Sequence, residues 1–135
     1  MSFEELPHTA DIKIRARAPT LDALFAEVLN AMMEVMYGPG RSDGITREIH
    51  IESSDRESLL ADFLSEVLFI SEVDGLVFSR AEVTIQDHRL TAVLHGEPFD
   101  RERHPGGTEV KGISYTGLRI GTDANGYMVD IVFDV

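Results

Sequence analysis

The chain has 135 residues, with 12 Lys plus Arg against 24 Asp plus Glu, a formal net charge of −12 and no cysteine. This length suits one domain with its own core, residues 1–135, and the charge argues against a large basic face that binds nucleic acid directly. Disulfides and Cys-based zinc sites are excluded, and no apolar run is long enough to cross a bilayer. We therefore expect a cytoplasmic single-domain protein that contacts neither membranes nor nucleic acid.

The first part of the chain predicts a strand followed by a helix. Residues 11–17 alternate charged residues with Ile or Ala, a period of two that is typical of a strand with one buried face. Thr20 then suits a helix N-cap, and apolar residues recur at three- and four-residue steps over residues 21–36. Gly38-Pro39-Gly40 is expected to end this amphipathic helix.

The middle of the chain repeats the strand-helix order. Residues 45–51 predict a second strand. Ser54-Asp55-Arg56-Glu57 has the S-x-x-E form of a capping box, which makes Ser54 the expected N-cap of a second helix. A stripe of apolar residues over 60–71 predicts the body of that helix, and Asp74-Gly75 is expected to end it.

The second half of the chain predicts strands. Residues 76–86 and 90–96 are expected to pair across a tight turn at Asp87-His88, and residues 96–107 are typical of a loop. Residues 110–120 and 127–135 predict two further strands joined across Asp123-Ala124-Asn125-Gly126, where Asn and Gly both tolerate a positive φ. The order β-α-β-α-β-β-β-β predicts an α+β fold, with a mixed, largely antiparallel sheet and two amphipathic helices packed on it.

Two carboxylates lie in the last predicted strand. Asp130 and Asp134 are four residues apart and therefore share one face. A carboxylate within an apolar strand is costly unless it is paired, hydrogen-bonded or bound to a metal, and the terminal carboxylate follows Asp134 by one residue. This spacing favours either a Lys or Arg partner, with Lys13 and Lys111 as candidates, or a divalent cation.

Asp11 stands where a loop enters the first predicted strand, and on its own it suits an Asx-turn. If it joins Asp134 at a cation, all donors are oxygens, which select Ca²⁺ or Mg²⁺ over zinc; carbonyl donors and a flexible terminus favour Ca²⁺. His8 is placed either to orient this carboxylate or only to pack, and the other histidines lack metal-ligand spacing. Lys111 is a snorkelling lysine, a counter-ion for Asp11 or Asp134, or a contact for a partner.

Several stretches together resemble the archease family. They are His8-Thr9-Ala10-Asp11-Ile12, similar to that family's H-T-A-D motif, the helix segments 21–25 and 62–69, residues 109–115, similar to its E-V-K-A-x-T-Y-H strand, and residues 132–135, similar to its terminal V-L-D-I. Their order and spacing agree over nearly the whole chain. The resemblance implies a small cytoplasmic α+β protein that acts as cofactor of the GTP-dependent tRNA-splicing RNA ligase, promoting its guanylylation and multiple turnover without joining RNA itself.

The resemblance also implies a divalent cation, typically calcium, held by the N-terminal Asp, the near-terminal Asp and a backbone oxygen of the last residue. Carried over by motif, these are Asp11, Asp134 and Val135. The chain departs from the family pattern at several positions, among them Gly112 in place of Ala, Ser114 in place of Thr, Thr116 in place of His, and Val135 in place of Ile. The missing His bears on contact with the partner ligase.

Three functions follow from these observations. The first is an activator of an RNA ligase, whose acidic surface suits a partner that must be basic to hold RNA. The second is a metal-dependent hydrolase using Asp11, Asp134 and His8, which needs an open coordination position and a nearby base. The third is a structural module without a metal.

Overall fold

The structure, a computed structural model, describes residues 1–6 and 11–135. Its elements follow in the order β1 (Ser2–Leu6), β2 (Ile12–Ala18), α1 (Leu21–Tyr37), β3 (Ile45–Glu52), α2 (Arg56–Asp74), β4 (Leu76–Gln86), β5 (Arg89–Pro98), β6 (Gly112–Ile113), β7 (Arg119–Asp123) and β8 (Gly126–Asp134). The predicted α+β class, with two helices placed among the strands in the expected order, is confirmed. Strand β1 was not predicted, because its adjacent acidic residues interrupt the alternation that marks a strand.

The strands form two sheets. The first has five strands in the order β1-β2-β8-β6, with β7 also paired to β8, and the second has three in the order β3-β5-β4. Every strand pair within residues 1–6 and 11–135 is antiparallel, so the parallel pairing that a mixed sheet includes is not found there. No helix in this described part of the chain is long and apolar enough to cross a membrane.

Both helices pack against strands of both sheets, and the core lies between these layers. The rings of Phe25 in α1 and Phe63 in α2 have centroids 6.0 Å apart. Phe78 from the second sheet and Phe133 from the first are also fully buried. Each such side chain stabilises the fold by about 1.5–3 kcal/mol relative to an exposed one, so this shared core holds the two sheets together.

The helix ends largely follow the sequence signals, with one correction. Thr20 caps α1 by accepting a hydrogen bond from the Ala23 N–H at 3.1 Å. The expected capping box of α2 is wrong, since the N-cap is Asp55, whose Oδ1 accepts from the Ser58 N–H at 2.7 Å. Glu57 does not close a box; instead, its Oε2 accepts from the Ile120 N–H at 2.9 Å, so a tertiary contact replaces the local one.

The predicted strand over 110–120 is two separate strands. Both β6 and β7 lie along the same edge of β8. Between them the chain turns, with the Leu118 N–H donating to the Tyr115 carbonyl at 3.2 Å and Gly117 at a φ of 70°. A left-handed glycine can make this turn without steric cost, so it divides a segment whose composition otherwise favours a continuous strand.

Both predicted hairpins form. Asp87, at a φ of 58°, makes the tight turn between β4 and β5. In the β7–β8 hairpin Gly126 has a positive φ of 128°, whereas Asn125 does not. Glycine is required at position 126 for a second reason, because a Cβ there would overlap the carbonyl oxygen of Ala18.

Candidate functional site

The first candidate site is the corner where β2 begins and β8 ends. The antiparallel register pairs Ile12 with Phe133, the last pair of these two strands. Asp11 directly precedes Ile12, and Asp134 directly follows Phe133, so the two carboxylates occupy adjacent strand ends. Asp11 is half-buried, whereas Asp134 and Val135 are exposed. The sequence separates Asp11 and Asp134 by almost the whole chain, and the sheet brings their backbones to one corner.

The loop before β6 closes the other side of this corner. The Lys111 N–H donates to the carbonyl oxygen of Asp134 at 2.7 Å, and Gly112 pairs with Asp134 in register. A Cβ added at Gly112 would lie 3.5 Å from Asp134 Oδ2, an ordinary van der Waals contact. The replacement of the expected Ala by Gly112 therefore does not reshape the corner.

Of the remaining sequence-predicted residues, Lys111 has an exposed side chain that makes no ion pair with Asp134. The proposed counter-ion role toward Asp134 is therefore not observed, and a partner contact stays a prediction. His8 lies outside the described residues.

Asp130 has a different role from Asp134, although both lie on β8. Its two carboxylate oxygens accept from Arg15 Nε at 2.8 Å and from Arg15 Nη2 at 3.0 Å. This bidentate pair lowers the pKa of Asp130 below its usual value. The cation partner of Asp130 is thus a neighbouring strand's arginine rather than Lys13 or Lys111, and Asp130 is not available to a metal.

The donor chemistry at the corner fits a hard divalent cation. Asp11 and Asp134 supply carboxylate oxygens, and the last residues of β8 supply main-chain oxygens, which are the ligand types that calcium and magnesium take. Within residues 1–6 and 11–135, no group of three or more His, Asp or Glu side chains is arranged to hold a metal. A cation held here by the described residues would therefore depend on backbone oxygens as well as the two aspartates.

A second feature, which sequence reasoning missed, is a buried polar cluster after β5. The His104 ring is fully buried, and its Nε2 lies 2.9 Å from Glu97 Oε2. Its Nδ1 lies 2.9 Å from the Asp100 backbone nitrogen. A backbone N–H can only donate, so Nδ1 is the acceptor, and Nε2 carries the proton that is donated to Glu97. Both ring nitrogens are engaged, so His104 is a structural residue and not an available base.

Glu97 makes two further contacts in the same cluster. Its carboxylate accepts from the Ser42 N–H at 2.9 Å and pairs with Arg103. Burial raises the pKa of Glu97, but the bond from His104, the bond from Ser42 and the charge of Arg103 outweigh burial, so its pKa lies below the ordinary value. A lone loop histidine gives no sequence signal for such a cluster, because its partners come from separate segments.

A third cluster joins α2 to the segment that follows β6. Asp62 accepts from the Tyr115 hydroxyl and from the Ser53 hydroxyl, each at 2.6 Å. The bond to Asp62 raises the pKa of Tyr115 to about 12. Asp62 and Tyr115 belong to two of the sequence stretches noted above for their resemblance, and the hydrogen bond holds those stretches together beside Lys111.

Comparison with known proteins decides the family. The sequence model of the Archease protein family (MTH1598/TM1083) matches residues 3–135. The chain belongs to the archease family. The protein archease of Methanosarcina acetivorans is 38% identical over 98% of this chain and 95% of its own length.

Solved archease structures share the fold. The solution structure of protein 1598 of Methanobacterium thermoautotrophicum superposes with a TM-score of 0.79 at 27% identity, covering 98% of each chain. The crystal structure of an archease of Thermotoga maritima, described as a possible chaperone, gives a TM-score of 0.64 at 18% identity, covering 98% of this chain and 96% of that one. The Methanosarcina relative is named only as a protein, and the Thermotoga structure is described as a possible chaperone, so neither description names a reaction.

Proposed function

We propose that this archease is a non-enzymatic protein cofactor that activates a GTP-dependent RNA ligase, and that a divalent cation at the β2–β8 corner takes part. The observation that carries the proposal is the β2–β8 register of this archease, which places Asp11 and Asp134 at adjacent strand ends. Family membership supports a protein partner. The choice of a ligase as that partner rests on the sequence resemblance to the archease motifs.

The cation is proposed to be Ca²⁺, with Mg²⁺ as the alternative, bound by Asp11, Asp134 and a backbone oxygen of Val135. When bound, the ion supplies a positive charge that offsets carboxylate repulsion and joins the start of β2 to the end of β8. Lys111 is held beside Asp134 by its backbone hydrogen bond, and its exposed ammonium is proposed to contact the ligase.

The charge of the chain supports a basic protein partner. A net charge of −12 repels a phosphate backbone and attracts a surface that is basic because it must hold RNA. The link to RNA therefore runs through the ligase. Complementary charge of this kind raises the association rate, and the effect weakens as the salt concentration rises.

A calcium titration followed by calorimetry tests the cation site. Calcium at a hundredfold excess over its Kd should stabilise the wild-type protein by about 2.7 kcal/mol, which raises Tm by roughly 10 °C for a chain of this size. Asp11→Asn and Asp134→Asn should each abolish most of this rise. Asp87→Asn is the matched control, since this exposed turn aspartate has a left-handed backbone that Asn also tolerates.

A guanylylation assay tests the activating role. The ligase of the same organism should form its covalent GMP adduct faster when the wild-type protein is present. Asp134→Asn and Lys111→Gln should each accelerate adduct formation less than the wild type does. Lys111→Gln should keep the calcium-induced rise in Tm, because the ammonium is not a cation ligand. If the wild-type protein leaves the rate of adduct formation unchanged with every divalent ion tested, activation is refuted. Phosphodiester hydrolysis that is lost in Asp11→Asn would instead favour the hydrolase.

A further inference from the structure

An open groove of about 550 Å³ lies between the C-terminal ends of the two helices and the loop that follows β5. Its walls include Met36 and Tyr37 of α1, Glu72 of α2, and Phe99, His104 and Thr108 of the loop. The loop backbone lies directly against α1, since a Cβ at Gly106 would overlap the carbonyl of Met36. This volume falls within the range of sites that take a ligand or a few side chains of a partner.

Three exposed apolar side chains lie in the groove or on the α2 face next to it: Phe99 lines the groove, and Phe69 and Val73 share a helix face with the lining residue Glu72. Phe69, Val73 and Phe99 are 59%, 65% and 50% exposed. Phe69 and Val73 are four residues apart on α2, and Glu72 follows Phe69 by three, so all three lie on neighbouring positions of one helix face. The Phe99 N–H donates to the Gly75 carbonyl at 2.8 Å, which holds Phe99 against the end of α2. Exposed apolar side chains grouped beside a groove are typical of an interaction surface.

The groove is formed before any partner arrives. The rings of Tyr37, Phe99 and His104 contact one another, with centroids 5.8 to 6.4 Å apart. The hydrogen bonds of His104 to Glu97 and to the Asp100 backbone fix the loop that carries Phe99. The free-energy cost of ordering this surface when a partner binds is therefore small.

The charges around the groove select the partner's chemistry. Glu72, Glu109 and Arg101 all line it, which leaves one negative charge in excess. None of the three forms an ion pair in the part of the chain that the structure describes. A second copy of this chain would bring another net charge of −12 and be repelled, as would a phosphate backbone. A protein segment with a large apolar side chain flanked by Lys or Arg satisfies both the apolar walls and the free carboxylates.

A short stretch of chain connects the groove to the β2–β8 corner. Thr108 and Glu109 line the groove, and two residues later the Lys111 N–H is bonded to Asp134. We infer that the groove binds an apolar side chain within a basic segment of the same protein whose activity the corner promotes. The identity of that protein as an RNA ligase rests on the proposed function, whereas the chemistry of the segment rests on the groove itself.

Binding to the ligase of the same organism, measured by biolayer interferometry, tests this inference. Val73→Arg replaces an apolar contact with a charge that repels a basic segment, so Kd should rise about tenfold. Arginine suits the last turn of a helix, so α2 should stay folded. Gln86→Arg is the matched control, because it adds the same charge at an exposed position of β4 and should leave Kd unchanged. The double variant Glu72→Gln with Glu109→Gln should weaken binding about fivefold.

The outcomes separate this inference from the proposed function. If Asp134→Asn abolishes activation while Val73→Arg binds like the wild type, the groove inference is wrong and the activating role stands. If the wild type does not bind the ligase, the proposed function fails. A peptide titration then tests whether the groove binds a basic segment with an apolar side chain. A fluorescent peptide with a Phe-Leu centre and lysine flanks should then bind the wild type and lose affinity for Val73→Arg. No binding, or equal binding of a glutamate-flanked peptide, overturns the inference.

Discussion

His104→Ala removes a fully buried ring and two hydrogen bonds from the cluster after β5. The bond to the charged carboxylate of Glu97 contributes about 1.5–3 kcal/mol, and the neutral bond from the Asp100 N–H contributes about 0.5–1.5 kcal/mol. Removal of the ring from between Tyr37 and Phe99 adds roughly 1 kcal/mol of lost apolar burial. The expected loss is therefore about 3–5 kcal/mol, a large part of a typical domain's stability.

Urea unfolding measures this loss directly. The midpoint should fall while the m-value stays constant, and Tm should drop by roughly 10–20 °C. His88→Ala is the matched control, because His88 is an exposed turn residue and its removal should change stability by less than about 0.5 kcal/mol. A loss below about 1 kcal/mol for His104→Ala would refute the reasoning, since it would mean that the buried ring and its bonds are readily replaced by water.

Three further predictions concern the backbone and the acid response. Gly126→Ala should cost about 2–3 kcal/mol in urea unfolding, because a Cβ must enter at positive φ against the Ala18 carbonyl; a loss under about 0.5 kcal/mol contradicts this. Thr20→Ala should cost about 1 kcal/mol by removing the acceptor for the Ala23 N–H, and Thr20→Ser should restore it. Glu97 has a lowered pKa in the folded state, so its contribution is complete above the ordinary value of 4.5 and is lost as pH falls through the lowered pKa. The stability difference between the wild type and Glu97→Gln should therefore shrink as the pH falls below 4.5, and a constant difference would contradict the assigned cause.

Local sequence signals predicted most of the elements. Period-two alternation located β2, and apolar residues at three- and four-residue steps located α1 and α2, because a strand and a helix each bury one face at their own period. The predictions failed where local signals competed. Ser54 and Asp55 are both good caps, and Asp55 is the one used, while Gly117 divides a segment that composition alone makes continuous.

The site was only partly predictable for the same reason. Asp11 and Asp134 stood out because a carboxylate at a strand end or within an apolar strand needs a partner. The sequence could not distinguish the role of Asp134 from that of Asp130, since both lie on one face of β8. Only the β2–β8 register shows that Asp130 pairs with Arg15. The groove left no sequence signal at all.

The sequence alone thus determined the acidic charge of the chain, the α+β class and the carboxylate donors that Asp11 and Asp134 offer. Charge and local periodicity are properties of short segments, so they can be read without the fold. Tertiary structure alone decided which of these residues meet. The pairing of β2 with β8 places Asp11 and Asp134 at adjacent strand ends. His104 meets Glu97 and the end of α1 through the fold of a loop. Contacts between segments far apart in sequence depend on the packing of the whole domain, which no local pattern encodes.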